Sequence, residues 1–423
     1  MIEIELFSLE PIGIGTAMVE SLTSYLSRLA EAHCVTVGTL ISQAIAEELR
    51  KNYIIASSQK RGSRLYENAF TLNGMGSLTE EFIRAITNLT GRDVSFLTLQ
   101  SWRNMCPDRN ILRTTKAWCP NCLEDWKRKR LPIYEPLVWC FKDVELCKIH
   151  NALLITDCPS CDSRIPLLNR TSRNGFCSHC NRWLGSADVL DMDMESDHMS
   201  WGHFVISNIE DILKKQPYLN ITTNSIKDFI VELINQAGGI IGFANYFGIA
   251  KSMVSEWYKE LHRPSFTMLL KVCYSVNINL LSAISNELSI HFIDKPVFSS
   301  SKQKTVRRKI DWEKVREVLV DKLNNGENAS PSVKAVAQAM NIDRRLLYSH
   351  FPDLCNELSS NYSSRIQMMK DKRIEEGLEE IRKVIINAKN IGAPLNRGSI
   401  EKLLPPTVSL REKPFLDLWK SLS

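Results

Sequence analysis

The chain has no apolar run approaching the ~18 residues that a membrane span requires. Its first residues, MIEIELFSLE, place Glu3 and Glu5 where a secretory leader places bases. Both absences predict a soluble cytoplasmic protein with no membrane partner, whose thiols stay reduced. Three kinds of catalytic signature are also missing: the G-x4-G-K-[ST] phosphate loop, the G-x-S-x-G nucleophile turn, and a shared motif of paired carboxylates. The expectation is therefore a non-enzyme, with no small-molecule substrate.

What the chain does hold is cysteine, twelve in all, and seven of them join one histidine between positions 119 and 180. The first set reads Cys119-x2-Cys122, then 24 residues, then Cys147-x2-His150. The second reads Cys158-x2-Cys161, then 15 residues, then Cys177-x2-Cys180. Two ligands at this spacing come from one tight turn, and two facing turns complete a tetrahedron. The sets predict two structural Zn2+ ions. Four protein ligands leave no open position for water, which disfavours a zinc hydrolase. Disulfides are the competing reading, and they would require an oxidising compartment. Cys34, Cys106, Cys140, Cys273 and Cys355 stand outside the sets and read as small buried side chains. His179 lies inside the last pair and reads as a solvated neighbour.

At 423 residues the chain has room for two to four domains. Its net charge of +5 is unevenly spread: residues 301–423 hold 23 Lys and Arg against 16 Asp and Glu. A basic end suggests a polyanionic partner. The fold expected is mainly α. A helical region 1–118 precedes a module of two zinc-stapled ribbons or fingers at 119–190. A helix-turn-helix domain at 200–293 follows, then a basic linker at 294–309 and a second helix-turn-helix region at 310–423.

In the first region Leu22, Tyr25, Leu26 and Leu29 recur at helical spacing, with Glu20 and Ser21 at the start. Leu78–Thr90 repeats the pattern with Phe82, Ile83 and Ile86, and Leu97-Thr98-Leu99 leads into Trp102. These are core positions rather than a pocket. Inside the first metal set, Trp126, Tyr134 and Trp139 alternate with Lys127, Arg128, Lys129 and Arg130. Such a segment either grips phosphates or forms the solvated edge of a zinc loop whose aromatics cover the metal, and the second reading is favoured.

From Ile240 the text takes the form of a helix-turn-helix. Phe243, Ala244 and Phe247 line one helix, Gly248 turns, and Ile249, Val254 and Trp257 lock the next. Ala244 is small where the helices cross, Gly248 permits a left-handed turn, and Ser265 can cap the helix beyond Pro264. The residues left to face DNA are Lys251, Ser252, Ser255 and Lys259, with Glu256 opposing tight phosphate contact. A protein-contact module is the alternative.

The stretch FSSSKQKTVRRK, Phe298–Lys309, reads as a linker with five bases. A second unit follows. Val333, Val336, Ala337 and Met340 share one helix, Asp343 caps another, and Leu346, Leu347 and Phe351 are expected inside it. Arg344, Arg345, Tyr348, Ser349 and His350 remain for the outside, and adjacent guanidinium groups suit guanine edges and phosphates. A charged helix at Arg365–Lys389 then precedes either a possible winged third unit or a helical interaction tail.

The segments ESLTSYLSRLA, WCPNCLED, CKIHN, DCPSC and CSHC resemble the TniQ family, and PSVKAVAQAMNIDRRLLYSHFPDLCNELSSNY resembles the C-terminal half of its TnsD branch. The resemblance implies a non-catalytic target selector of a bacterial transposon, acting in the cytoplasm at the nucleoid. Its N-terminal and zinc regions would dock on TnsC, the AAA+ regulator, and its C-terminal units would read double-stranded DNA at a chromosomal attachment site. Other family members attach instead to an RNA-guided Cascade complex. Two helix-turn-helix units favour direct reading, since a guide-directed adaptor needs none. This chain is shorter than the longest TnsD proteins. An ordinary zinc-containing transcriptional regulator would share the same motifs.

Overall fold

Ser21 starts the first helix by accepting a hydrogen bond from the Ser24 amide at 3.3 Å, and the chain then winds through α1, Leu22–Ala32. Leu22, Tyr25, Leu26 and Leu29 form its buried stripe. Thr36 caps α2, Val37–Leu49, which contains a wider turn at Ile41–Ile45. α3, Ser77–Thr90, begins one residue before the expected start and ends at Gly91, whose φ of 68° is the left-handed stop that glycine permits. Its inner stripe is Phe82, Ala85, Ile86 and Leu89. Ile83, expected inside, is only half-buried, because it lies about 100° round the helix from Phe82.

The computed structural model describes residues 5–50, 64–185, 196–285, 310–324, 331–340 and 342–423. The basic linker expected at 294–309 lies outside the described residues. Among the described residues the fold is mainly helical, and the one two-stranded sheet pairs β1, Leu146–Cys147, with β2, Ala152–Leu153. No single helix among them is long and apolar enough to cross a membrane.

The chain divides into two units. One holds Met1–Thr156, Pro166–Gly175 and Gly185–Lys302, and the other holds Asp157–Ile165, Phe176–Leu184 and Gln303–Ser423. This division cuts the expected 119–190 module: the first metal set belongs to the first unit and the second set to the second. The physical reason is that the turns of the second set are held by helices from the C-terminal end, as described below.

In the first unit, α4, Pro120–Arg128, carries proline at its first turn, where a missing N–H costs nothing. The sheet, α5 (Ser196–Lys215) and α6 (Thr223–Gln236) follow. Then come α7 (Gly239–Phe247), α8 (Lys251–Tyr258), α9 (Phe266–Ser275) and α10 (Leu280–Ile284). Trp102, Phe141 and Phe266 meet at centroid distances of 5.2 to 5.8 Å, tying the long loops to α9.

The second unit is organised by α14, Pro352–Asn390, a helix of 39 residues and so about 58 Å long. The charged helix expected at Arg365–Lys389 is its interior. Against its first turns pack α11 (Trp312–Asn324), α12 (Val333–Ala339) and α13 (Arg344–His350), around Val315, Leu319, Val336, Leu347, Cys355 and Leu358. Against its last turns pack α15 (Arg397–Leu403) and α16 (Lys413–Leu422), around Ile381, Ile385, Ile400, Leu410 and Phe415. A Cβ at Gly377 would stand 2.6 Å from the Phe415 ring, so the close approach of α16 requires glycine. Among the described residues after 310 no strand forms, so helices occupy the place where either a winged unit or a helical tail was expected.

Candidate metal centres and exposed helix faces

Cys119 precedes α4 and Cys122 sits in its first turn, while Cys147 ends β1 and His150 lies in the turn to β2. Asn151 takes the left-handed conformation there, φ 48°. The first set is thus a helix start facing a hairpin. Cys122 Sγ lies 3.6 Å from Cys147 Sγ and 3.3 Å from His150 Nδ1, and Nδ1 lies 3.5 Å from Cys119 Sγ and 3.8 Å from Cys147 Sγ. The three thiols are buried.

These separations test the fit of an ion. Zn–S bonds of about 2.3 Å in a tetrahedron set S···S edges near ~3.8 Å and S···N edges near ~3.5 Å. The donors stand at those edges. The imidazole is also turned to act as a ligand, since Nδ1 faces the thiols and Nε2 faces Asp125 Oδ2 at 3.4 Å. Asp125 in turn accepts from Arg128 at 2.6 Å. A carboxylate behind the ring fixes its tautomer and raises its basicity as a ligand.

The second set is built from two turns of one design. Cys158 N–H donates to Ser163 O at 3.0 Å and Asp162 N–H to Cys158 O at 2.8 Å; Cys177 N–H donates to Arg182 O at 3.0 Å and Asn181 N–H to Cys177 O at 2.9 Å. Asp162 and Asn181, at matching places, take φ of 48° and 57°, a conformation that Asp and Asn tolerate better than most residues. The backbone bridges Asp157 to Arg164 and Phe176 to Trp183 close the two turns. Cys158 Sγ lies 3.7 Å from Cys180 Sγ, and Cys161 Sγ 3.7 Å from Cys177 Sγ, again tetrahedral edges. All four thiols are buried. Within each set the ligand atoms lie within 4.8 Å of one another, so each group can hold a metal ion. Buried thiolates need a cation.

The remaining cysteines behave differently. Cys106, Cys140, Cys273 and Cys355 are buried and Cys34 is half-buried. Asn73 donates to Cys140 Sγ at 3.4 Å, and burial pushes that thiol up to about 12, which keeps it neutral. His179 is exposed, and its amide donates to Cys177 Sγ at 3.4 Å. In the aromatic segment Trp126 stacks on Tyr134 at 4.6 Å and on Trp139 at 5.8 Å. Lys127 and Arg128 pair with Glu124 and Asp125 on the same helix.

In the α7–α8 pair Phe243, Ala244, Val254 and Trp257 are buried, Ile249 is half-buried, and Gly248 has φ 63°. Lys251, Ser252 and Lys259 are exposed and Ser255 is half-buried; Lys259 lies one residue beyond α8. The same helix exposes Met253 and Tyr258. In the α12–α13 pair Ser332 and Asp343 cap the two helices, Asp343 accepting from the Arg345 amide at 2.7 Å. Arg344, Arg345 and Ser349 are exposed and Tyr348 is half-buried against the core. His350 is exposed but stacked on Trp312, centroids 3.6 Å apart. Leu346, expected inside, is 42% exposed. Leu347 and Phe351, at i and i+4, form the inward stripe and turn Leu346 outward beside Arg345.

The sequence groups the eight candidate donors as the structure does but does not single out Asp125, although its place three residues after Cys122 on a helix puts it on the same face. It also missed the helices that hold the second set, for which local text gives no signal. Residues 11–154 match the TniQ family. No curated protein matches the chain.

Proposed function

We propose, from the premise that this chain carries a TniQ domain, that it is a non-catalytic target-site selector of a bacterial transposon. TniQ proteins are associated with transposition, and DNA is the partner this reading requires. Each metal group would hold one structural Zn2+: three thiolates and His150 Nδ1 at the first, four thiolates at the second. With four protein donors each ion would stabilise its turns and offer no position for a reacting water.

The reading into DNA rests on one observation above all. A TniQ domain shares its chain with α13, a capped helix whose first turn exposes Arg344 and Arg345. In the helix-turn-helix reading, α13 enters the major groove with Arg344, Arg345 and Ser349 toward the duplex, while Tyr348, against the core, and His350, on Trp312, support the helix from behind. The α7–α8 pair, with Lys251, Ser252, Ser255 and Lys259, supplies a second contact. Phosphate contacts would fix the protein, base contacts would choose the site, and the N-terminal region would recruit a TnsC-type AAA+ regulator.

The test is to map insertions of the parent element in a bacterial host with this protein present and any guide complex deleted. Continued insertion at one chromosomal locus supports direct reading of an attachment site. Loss of insertion with the guide complex assigns the chain to a Cascade-linked adaptor. Failure to retain TnsC on the immobilised protein, with duplex binding intact, assigns it to an ordinary transcriptional regulator.

A further inference from the structure

Helix α13 has little packing of its own. Of its seven residues only Leu347 is fully buried, with Tyr348 packed at the edge of the core and His350 stacked on Trp312 of α11, so its aim depends on the helices around it, α12 and α14 at its two ends among them. Both of those helices are tied to the first turn of the second metal group. Asp157, the residue before Cys158, pairs with Lys334, the second residue of α12. Asp162, at the left-handed position of the turn, pairs with Arg365 of α14 at 3.6 Å. The Tyr362 hydroxyl donates to the Cys161 carbonyl and stands 3.3 Å from Ser163 Oγ.

We propose that this turn is a clamp that sets the pose of α13, with Lys334, Tyr362 and Arg365 as positioning residues for DNA binding. The inference rests on the reading of α13 as a DNA-contacting helix. Two donor cysteines, Cys158 and Cys161, lie within the turn, so a bound metal fixes the backbone on which Asp157, Asp162 and the Cys161 carbonyl are carried. A rigid turn holding two helices at separate points fixes the angle between them. The short helix strung between them then has one orientation.

A rival explanation gives Lys334 a direct phosphate contact. The two separate cleanly in Asp157→Asn, which leaves Lys334 in place and frees it, along with Arg164, whose Nε lies 3.5 Å from Asp157. The clamp predicts faster amide exchange across 333–350 with both metals retained, and duplex affinity lowered roughly three- to fivefold, the scale of one partly exposed ion pair. A direct phosphate role predicts tighter binding, which would overturn the clamp. Unchanged exchange would overturn it as well. Lys334→Gln should repeat the loss of protection and Lys334→Arg should preserve it. If the parent protein binds no duplex at all, the DNA reading fails, while the exchange measurement still decides the clamp.

Discussion

The hydroxyl of Tyr362, on the long helix α14, donates to the backbone carbonyl of Cys161, a metal-group residue 201 positions earlier in the chain. The second metal group is therefore not a free-standing finger. It is a structural part of the C-terminal unit, sealed by a helix that also carries the two hydrophobic clusters of that unit.

Tyr362→Phe removes the donor and keeps the ring on which Arg365 rests at 5.4 Å. The expected cost is about 1 kcal/mol, the net worth of one such hydrogen bond. Urea unfolding of the purified chain should show the loss in the transition of the C-terminal unit, with the metal content of the parent retained. A variant as stable as the parent would mean that the hydroxyl is equally well satisfied by water.

Cys161→Ser should do something different in kind. A serine hydroxyl stays protonated at neutral pH and is a poor zinc ligand, so the second centre should empty while the first stays filled. The expected result is two zinc ions per chain for the parent and one for the variant, measured by atomic emission, with the C-terminal unit unfolding at lower denaturant. Two zinc ions retained with parental stability would remove Cys161 from the ligand set.

How much of this was legible in the sequence follows from the range of each interaction. The grouping of the eight candidate donors into two sets is readable because C-x2-C and C-x2-H spacings are local geometry, and α1, α8 and α13 are readable because caps and apolar stripes are local too. Pro352 with Asp353 marks the start of α14, a local signal thirteen residues before the start expected at Arg365. Leu346 was misplaced because two adjacent leucines fit either phase of a short helix, and only the contact with α14 decides between them. The division of the metal groups between two units was not legible. It depends on Lys334, Tyr362 and Arg365, far along the chain, meeting Asp157, Cys161 and Asp162.

Glu20 supplies a pH prediction for the N-terminal region. It is fully buried, its Oε1 accepting from Arg28 at 2.8 Å and Ser24 at 2.9 Å, and its Oε2 from the Ile12 amide at 3.3 Å. Burial raises its pKa from 4.5 to about 7, against the pull of Arg28. Because the folded state holds the proton more tightly than the unfolded chain, the stability tied to it is complete below about 4.5 and is lost as pH rises through about 7. Glu20→Gln mimics the protonated form. Between pH 6 and 8 the parent should lose on the order of 1 kcal/mol relative to that variant, read from paired denaturation curves. A parent that gains stability over the same interval would show that the Arg28 pair outweighs burial.

Arg345→Ala tests where DNA is read. Asp343 holds the Arg345 amide at 2.7 Å, so the start of α13 keeps its cap when the side chain is cut back, and the exposed guanidinium contributes little to the core. A loss in binding can then be assigned to contact with the duplex. If Arg345 reads a base, affinity for the cognate site should fall by ~1–3 kcal/mol while affinity for random duplex changes little. If it meets a phosphate, both should fall together and the salt dependence should flatten by about one ion. Titrations at two salt concentrations on cognate and random duplexes separate these outcomes. Unchanged binding in all four would move recognition away from α13, to the face of α8 that carries Lys251 and Ser252.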